Sequence, residues 1–128
     1  MPGSKPLLPL SYTGPLMSFH LTLRRAFVAD HFHDLPGFRE DRHGHNWEVE
    51  ATIRMDRLDE EPFFAETLDA WRKQVDYRLL NDQSALMGCN PTTEALAYWA
   101  FAFLEDRGLA PVQVKVREKA NYWAACRR

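Results

Sequence analysis

The amino-acid sequence predicts an α+β fold whose elements follow the order ββααββ. Two stretches in the first half alternate apolar and polar residues, with the period of two that a half-buried strand requires. Two later stretches repeat apolar residues every three or four positions, which is the period of an amphipathic helix. A last alternating stretch and an aromatic stretch after it predict a closing hairpin. The 128 residues fit one domain, placed at 17–128, behind an arm at 1–16.

The arm and the first two strands follow from simple composition and parity. Residues 1–16 contain four prolines and two glycines, which oppose both helix and central strand, so the arm is expected to be extended. In the first strand, the odd positions from Phe19 to Ala29 are apolar except for Arg25. The same alternation returns from Trp47 to Ile53. Both strands are therefore expected to bury one face.

The two helices are predicted from their apolar faces and end signals. The first is expected from about Pro62 to Asp76. The second is expected to follow an Asn90 cap, with Pro91 in its first turn, and to end at Gly108. The apolar faces that define the two helices are Phe64, Leu68, Trp71 and Val75, and then Leu96, Trp99, Ala100 and Phe103.

The third strand carries a carboxylate at the end of its apolar face. Valines alternate with polar residues over 112–116, and residues 122–126 are the expected hairpin partner. Glu118 continues the valine parity, and a buried carboxylate needs a partner. One possibility is a guanine-like ring edge, which offers an N–H and an adjacent amino group. The other is an ordinary salt bridge to Lys115 or Arg25.

Composition excludes several classes of protein. The net charge of -2 offers no basic stripe for a nucleic acid. Cys89 and Cys126 form no Cys-x-x-Cys pair, so a reducing, cytoplasmic location is expected, with both thiols as small core residues. The apolar patch at 7–10 is too short for a signal-peptide core or a membrane span, so no membrane partner is expected.

Three histidines are placed to bind one metal ion. His43 and His45 are two residues apart, so their imidazoles project from the same face of a strand. His31 continues the buried parity of the first strand, and antiparallel pairing of the two strands would bring the three rings together. Three nitrogen ligands with an open fourth position are typical of a catalytic zinc ion (Zn2+). The plain alternative is three separate histidines with ordinary hydrogen bonds.

Three further residues lie near this predicted site or could belong to it. His33 shares the parity of His31, so it could compete as a ligand, face solvent or orient the site. His20 has the opposite parity and is excluded from the metal site. Asp76 follows the first helix, where a solvated acid is the simplest expectation.

Five segments occur in an order that resembles one known family. They are 27–31 (Phe-Val-Ala-Asp-His), 43–47 (His-Gly-His-Asn-Trp), 75–82 (Val-Asp-Tyr-Arg-Leu-Leu-Asn-Asp), 91–97 (Pro-Thr-Thr-Glu-Ala-Leu-Ala) and 116–118 (Val-Arg-Glu). Together they resemble the 6-pyruvoyl-tetrahydropterin synthases and the related 6-carboxy-tetrahydropterin synthases. The likeness covers most of the chain.

The resemblance implies a fold and an assembly. The fold is the tunnelling fold (T-fold), in which a four-stranded antiparallel sheet carries two helices on one face. Three subunits join into a twelve-stranded barrel and two barrels stack, which implies a homo-oligomer of three or six chains. Family sites lie between subunits, so one chain would need a neighbour to complete its pocket.

The resemblance also assigns roles to residues. Zinc would be held by the three histidines above, and a pterin substrate would be anchored by Glu118 with contacts from Thr92 and Thr93. Two departures alter the catalytic set. Arg39 stands where the usual catalytic cysteine lies, but residues 37–43 resemble a variant class in which a glutamate, here Glu40, serves as the base.

The second departure is Tyr77, which replaces the histidine that normally partners Asp76. The implied function is a zinc-dependent lyase of folate biosynthesis, which cleaves 7,8-dihydroneopterin triphosphate to 6-hydroxymethyl-7,8-dihydropterin by a retro-aldol reaction. The catalytic residues would be Glu40, Asp76 and Tyr77. The alternatives are a 6-carboxy or 6-pyruvoyl product, or an inactive zinc- and pterin-binding paralogue.

Overall fold

The structure, a computed structural model, describes residues 18–86 and 88–128. The predicted arm at 1–16 lies outside these residues. Within them, a sheet of five strands packs against two α-helices. The elements in chain order are β1 Phe19–Leu35, β2 Phe38–Met55, α1 Glu61–Val75, β3 Arg78–Leu79, α2 Thr93–Asp106, β4 Pro111–Lys119 and β5 Tyr122–Arg127.

The sheet has the order β3-β1-β2-β4-β5. The four long strands pair antiparallel, in agreement with the predicted four-stranded sheet. The short β3 adds a parallel neighbour to β1. The sequence pattern does not predict β3, because two residues cannot show a period of two. The sheet of one chain is open, with β3 and β5 at its edges.

The hairpin of β1 and β2 is longer than the sequence indicated. Both strands continue beyond their alternating residues to a turn at Pro36 and Gly37. Gly37 has φ +77, a conformation that glycine adopts without steric cost. Apolar alternation fails at this end because its side chains are exposed, including Leu35 and Phe38.

The first helix matches its prediction closely, whereas the start of the second differs. The backbone N–H of Asp76 donates to the carbonyl of Arg72 and closes α1. The predicted Asn90 cap is wrong, because the Thr92 hydroxyl oxygen accepts from the backbone N–H of Ala95 and caps α2. The Asn90 side chain instead accepts a hydrogen bond from the backbone N–H of Asp34.

Aromatic side chains connect the helices to the sheet. Phe27 on β1 stacks on Trp47 of β2 with ring centroids 5.9 Å apart, and meets Trp71 of α1 edge-on at 5.7 Å. Trp99 of α2 packs on Trp71 at 5.5 Å. Burial of each such ring contributes roughly 1.5–3 kcal/mol. The helices therefore cover one face of the sheet, as predicted.

The one exception in the buried parity of β1 is explained by an ion pair. Arg25 pairs with Asp69 of α1 at 2.7 Å.

The two cysteines differ in burial. Cys126 is partly buried beside the core, whereas Cys89 is exposed, so the predicted core position of Cys89 is wrong. Neither helix of the described ranges is long and apolar enough to cross a membrane.

Candidate metal centre and active site

The register of β1 and β2 brings the three predicted histidine ligands together. His31 lies directly opposite His43, and their Nε2 atoms are 3.0 Å apart. The His43 and His45 ring centroids are 4.6 Å apart. The matched parity of the two strands thus produces one group of rings on the helix-covered side of the sheet.

Two of the rings are oriented by backbone carbonyls. The carbonyl of Pro91 lies 2.8 Å from Nδ1 of His31, and the carbonyl of Asp41 lies 2.7 Å from Nδ1 of His43. A carbonyl only accepts, so each Nδ1 carries the proton and each Nε2 keeps its lone pair. Nε2 of His45 is buried without a hydrogen bond among the described residues. These features fit imidazoles that bind a metal ion.

Burial also favours the neutral form that a metal ligand requires. It lowers the pKa of His31, although the Pro91 carbonyl and Glu118 act in the opposite direction. Burial likewise lowers the pKa of His45 against the opposing effect of Glu118. Neutral imidazole is the form that coordinates a metal ion.

Glu118 completes a group of four possible ligands. A β-bulge between Arg117 and Lys119 leaves it out of register with β5, and bulges re-aim side chains. Its Oε1 lies 2.9 Å from Nε2 of His31 and 3.2 Å from Nε2 of His45. The donor atoms of His31, His43, His45 and Glu118, here called the donor cluster, all lie within 4.8 Å of one another.

The salt bridges offered as an alternative for Glu118 are wrong. Lys115 contacts Glu50 at 3.2 Å, and Arg25 contacts Asp69. Lys115 is three positions from Glu118, so along β4 it projects from the other face of the sheet. The sequence placed Glu118 on the correct face but did not predict its contact with the histidines.

A second bulge brings Glu40 to the same side as His43. Between the pairs His31–His43 and His33–Glu40, β1 advances two residues and β2 advances three. A regular strand would place residues three apart on opposite faces. The extra residue turns Glu40 inward, where its Oε1 lies 3.2 Å from Nε2 of His43. Parity alone could not have predicted this, because it assumes an unbroken ladder.

His33 does not face solvent, so that interpretation is wrong. Its side chain is 16% exposed, and its Nδ1 lies 3.2 Å from Oε1 of Glu40. Its ring contacts the His31 ring at 4.8 Å. His31, His33 and Glu40 form a second, overlapping group of possible metal ligands. His20 is exposed and pairs with Arg54 near the opposite end of the hairpin.

An open cavity of about 720 Å³ lies beside the donor cluster. This volume is within the usual range for small-molecule sites, roughly 300–1,000 Å³. Its lining combines carboxylates, imidazoles, exposed aromatic side chains and a threonine, among them Phe38, Glu40, His45, Thr92, Glu118 and Tyr122. The arrangement suits a flat polar ligand that carries groups able to reach a metal ion.

The two predicted threonines differ in position. Thr92 lines the cavity, and although its oxygen caps α2, its O–H remains able to donate. Thr93 is buried, and its hydroxyl donates to Oε2 of Glu94 at 3.1 Å. The cavity lining does not include Thr93, so the chain brings only Thr92 to the predicted substrate site.

Asp76 and Tyr77 are remote from the donor cluster of their own chain. Oδ1 of Asp76 accepts from the backbone N–H of Val28 at 2.9 Å, three residues from His31, or about 10 Å along a strand. The Asp76 side chain is 19% exposed and also contacts Arg72, so a freely solvated acid is wrong. Tyr77 has φ +57, a strained conformation for a bulky residue, and is 82% exposed.

Arg39, at the position that resembles the usual cysteine site, is a surface residue. Its side chain is 83% exposed and lies 3.3 Å from Asp34. Arg39 therefore does not stand in for a nucleophile or base. The carboxylate beside the histidines on this strand belongs to Glu40.

Comparison with known proteins places this geometry in one family. The family model described as 6-pyruvoyl tetrahydropterin synthase matches residues 20–128. A protein of Archaeoglobus fulgidus, provisionally named a 6-carboxy-5,6,7,8-tetrahydropterin synthase, is 31% identical over 104 residues, which are 75% of this chain and 86% of that protein.

Two solved structures share the fold at low sequence identity. The Caenorhabditis elegans 6-pyruvoyl tetrahydropterin synthase is 15% identical, with a TM-score of 0.72 over 87% of this chain and 96% of that chain. A Plasmodium vivax 6-pyruvoyltetrahydropterin synthase is 17% identical, with a TM-score of 0.60 over 88% of this chain and 98% of that chain. The latter is a variant in which a glutamate, described as a catalytic residue, is replaced by cysteine.

Proposed function

The chain belongs to the 6-pyruvoyl tetrahydropterin synthase family, and we propose that it is a zinc-dependent lyase acting on 7,8-dihydroneopterin triphosphate. The proposed product is 6-hydroxymethyl-7,8-dihydropterin. The observation that carries this proposal is a carboxylate, Glu40, in the wall of the cavity and 3.2 Å from a predicted zinc ligand, His43.

The chain supplies separate groups for the metal and for the pterin ring. His31, His43 and His45 offer three nitrogen donors, a set that is typical of catalytic zinc sites, which leaves the Glu118 carboxylate to bind the ring. It would accept hydrogen bonds from a ring N–H and the neighbouring amino group, with a further contact from the Thr92 hydroxyl. Zinc, when bound, would polarise the side-chain hydroxyls of the substrate and lower their pKa.

Glu40 is assigned as the general base. It would take the proton from the hydroxyl on the second side-chain carbon. The bond between the first and second side-chain carbons then breaks, and its electron pair moves into the ring C=N group. The second carbon leaves as an aldehyde that carries the triphosphate. The catalytic glutamate named for the Plasmodium vivax enzyme supports a carboxylate in this role.

A proton must then return to the first side-chain carbon, which becomes the hydroxymethyl group. Asp76 and Tyr77 are assigned to this step from a neighbouring subunit, because they lie away from the donor cluster of their own chain. The exposed strand edges at β3 and β5 support assembly into three or six chains. Light scattering measures this mass directly, and a stable monomer at micromolar concentration would contradict the shared site.

A second candidate function is formation of a 6-carboxy-tetrahydropterin. The Archaeoglobus fulgidus relative, named for that product, favours it. An inactive zinc- and pterin-binding paralogue is favoured instead by Tyr77, since a phenol is a poorer proton shuttle than the imidazole it replaces.

The test is product analysis by mass spectrometry after incubation with 7,8-dihydroneopterin triphosphate, with and without a chelator. We expect 6-hydroxymethyl-7,8-dihydropterin, and less of it after metal removal. Glu40→Gln should abolish turnover but keep zinc and pterin binding, because the amide keeps the shape and loses the base. Glu66→Gln, at an exposed position on α1, is the matched control. A 6-pyruvoyl or 6-carboxy product would refute the role of Glu40, and no product under any condition would favour the inactive binder.

A further inference from the structure

His33 and Glu40 face each other across the β1–β2 hairpin. They are directly opposed in the register, with Nδ1 of His33 3.2 Å from Oε1 of Glu40. The bulge beside them creates this pairing by turning Glu40 to the inner side. His33 follows the segment that resembles the zinc-ligand motif, which ends at His31, and the proposed mechanism gives it no role.

Among the described residues, the Glu40 carboxylate is the acceptor that pairs with the His33 ring. Its ring lies between His31, at 4.8 Å, and Phe38, at 5.9 Å. Both ring nitrogens are buried, and neither has an aligned hydrogen bond among the described residues. A buried N–H without an acceptor is unfavourable, and the Glu40 carboxylate lies within reach after a small rotation.

The Glu40 carboxylate is partly exposed, so a contact is needed to fix its position. Its side chain is 39% exposed, with its Oε1 held only 3.2 Å from the rings of His33 and His43. Nε2 of His43 belongs to the donor cluster and is used when that cluster holds an ion. His33 is then the imidazole that remains free to donate to the carboxylate.

We propose that His33 is a positioning residue, which holds the Glu40 carboxylate against the cavity by donating a hydrogen bond from Nδ1. This rests on the proposed function, in which Glu40 removes the substrate proton. The competing role is metal binding together with His31 and Glu40. That role conflicts with the donor cluster, because one lone pair on His31 cannot bind two ions.

The test uses two substitutions that differ only in polarity. His33→Asn places an amide N–H near the position of Nδ1, and His33→Leu has similar bulk but no donor. We expect His33→Leu to lower kcat about tenfold or more, with KM and zinc content unchanged. His33→Asn should recover most of the lost kcat. Equal losses in the two variants, a change confined to KM, or loss of zinc would each overturn the proposal.

Crystal structures of the zinc-loaded wild type and His33→Leu give a readout that does not depend on turnover. The Glu40 carboxylate should lie against the cavity in the wild type and turn toward solvent in the variant. An unchanged Glu40 position overturns the proposal. If the wild type forms no product, the proposed function fails, and the position of Glu40 still decides whether His33 holds it.

Discussion

The two faces of the sheet use charge in opposite ways. The face away from the helices carries an outer ladder of oppositely charged side chains: Arg24, Glu48, Glu50, Lys115 and Arg117. Its members pair with one another, as in the contacts of Glu48 with Arg117 at 2.8 Å and of Glu50 with Lys115 at 3.2 Å. The donor cluster on the inner face instead brings electron-pair donors together.

Shifts in pKa favour a charged carboxylate on the outer face and a neutral imidazole on the inner face. Burial raises the pKa of Glu50, but hydrogen bonds from Lys115 and Arg24 outweigh it, so the net pKa is lowered and the carboxylate stays charged. Burial lowers the pKa of His31 and keeps the imidazole neutral. Each carboxylate of the outer ladder is thus paired with cationic side chains within the ladder, whereas the donor cluster is suited to an added cation.

Removing one ring from the donor cluster should give the largest effect. We expect His43→Ala to weaken zinc binding about 100-fold or more, because two imidazoles do not hold a catalytic zinc firmly. Metal analysis of the purified protein and competition with a chelator measure the loss. His20→Ala, at an exposed position on the outer face, is the control. Full zinc in His43→Ala together with loss in His33→Ala would show that the ligands are misassigned.

Lowering the pH should protonate the donor cluster before the outer ladder, without any mutation. The folded-state pKa values of His31 and His45 lie below the ordinary value of 6.5, so the unfolded chain binds protons first as the pH falls. Stability of the metal-free protein is therefore full above pH 6.5 and declines below it. Glu50, with a pKa below its ordinary 4.5, keeps its charge through this window.

Urea unfolding with a chelator present, at steps from pH 7.5 to 5.5, measures this decline. His45→Gln should flatten the pH dependence, because it removes one of the two titrating rings. A stability that is constant or rises as the pH falls through this range would contradict the burial of these imidazoles.

A substitution in the outer ladder should have the smallest effect. Glu48→Gln removes the carboxylate that contacts Arg24 and Arg117. We expect a loss of about 0–1 kcal/mol in the free energy of unfolding, as is typical of ion pairs near the surface. Zinc affinity should be unchanged. A large loss of zinc would mean that the two faces are coupled through β2, contrary to the separation described above.

Regular strands made the grouping of the three histidines predictable, whereas irregular strands hid the position of Glu40. Parity alone placed His31, His43 and His45 on one face, because β1 and β2 stay in register up to His31. Beyond His31, β2 contains one more residue than β1 before the next pair. The inward position of Glu40 depends on a bulge, for which local composition gave no signal.

The misplaced start of α2 has a different cause. Asn90 and Thr92 are both good capping residues two positions apart, and propensity cannot choose between them. Tertiary contact decides, because the Asn90 side chain accepts from the backbone N–H of Asp34 on the hairpin. Asp76 and Tyr77 raise a comparable difficulty, since no pattern within one chain shows which neighbouring subunit they serve.

The bulge in β2 makes the site sensitive to the number of residues as well as to their identity. Glu40 and His43 are three positions apart, and the extra residue between them lets both side chains face inward. Deleting Asp41 would restore an even ladder in which the carboxylate, now two positions from His43, still faces inward but is drawn about 3.3 Å closer along the chain. Glu40 would remain the residue opposite His33, without the bulge between the two pairs. Chain length is therefore an independent means to tune the path between the Glu40 carboxylate and the donor cluster while each of these side chains is retained.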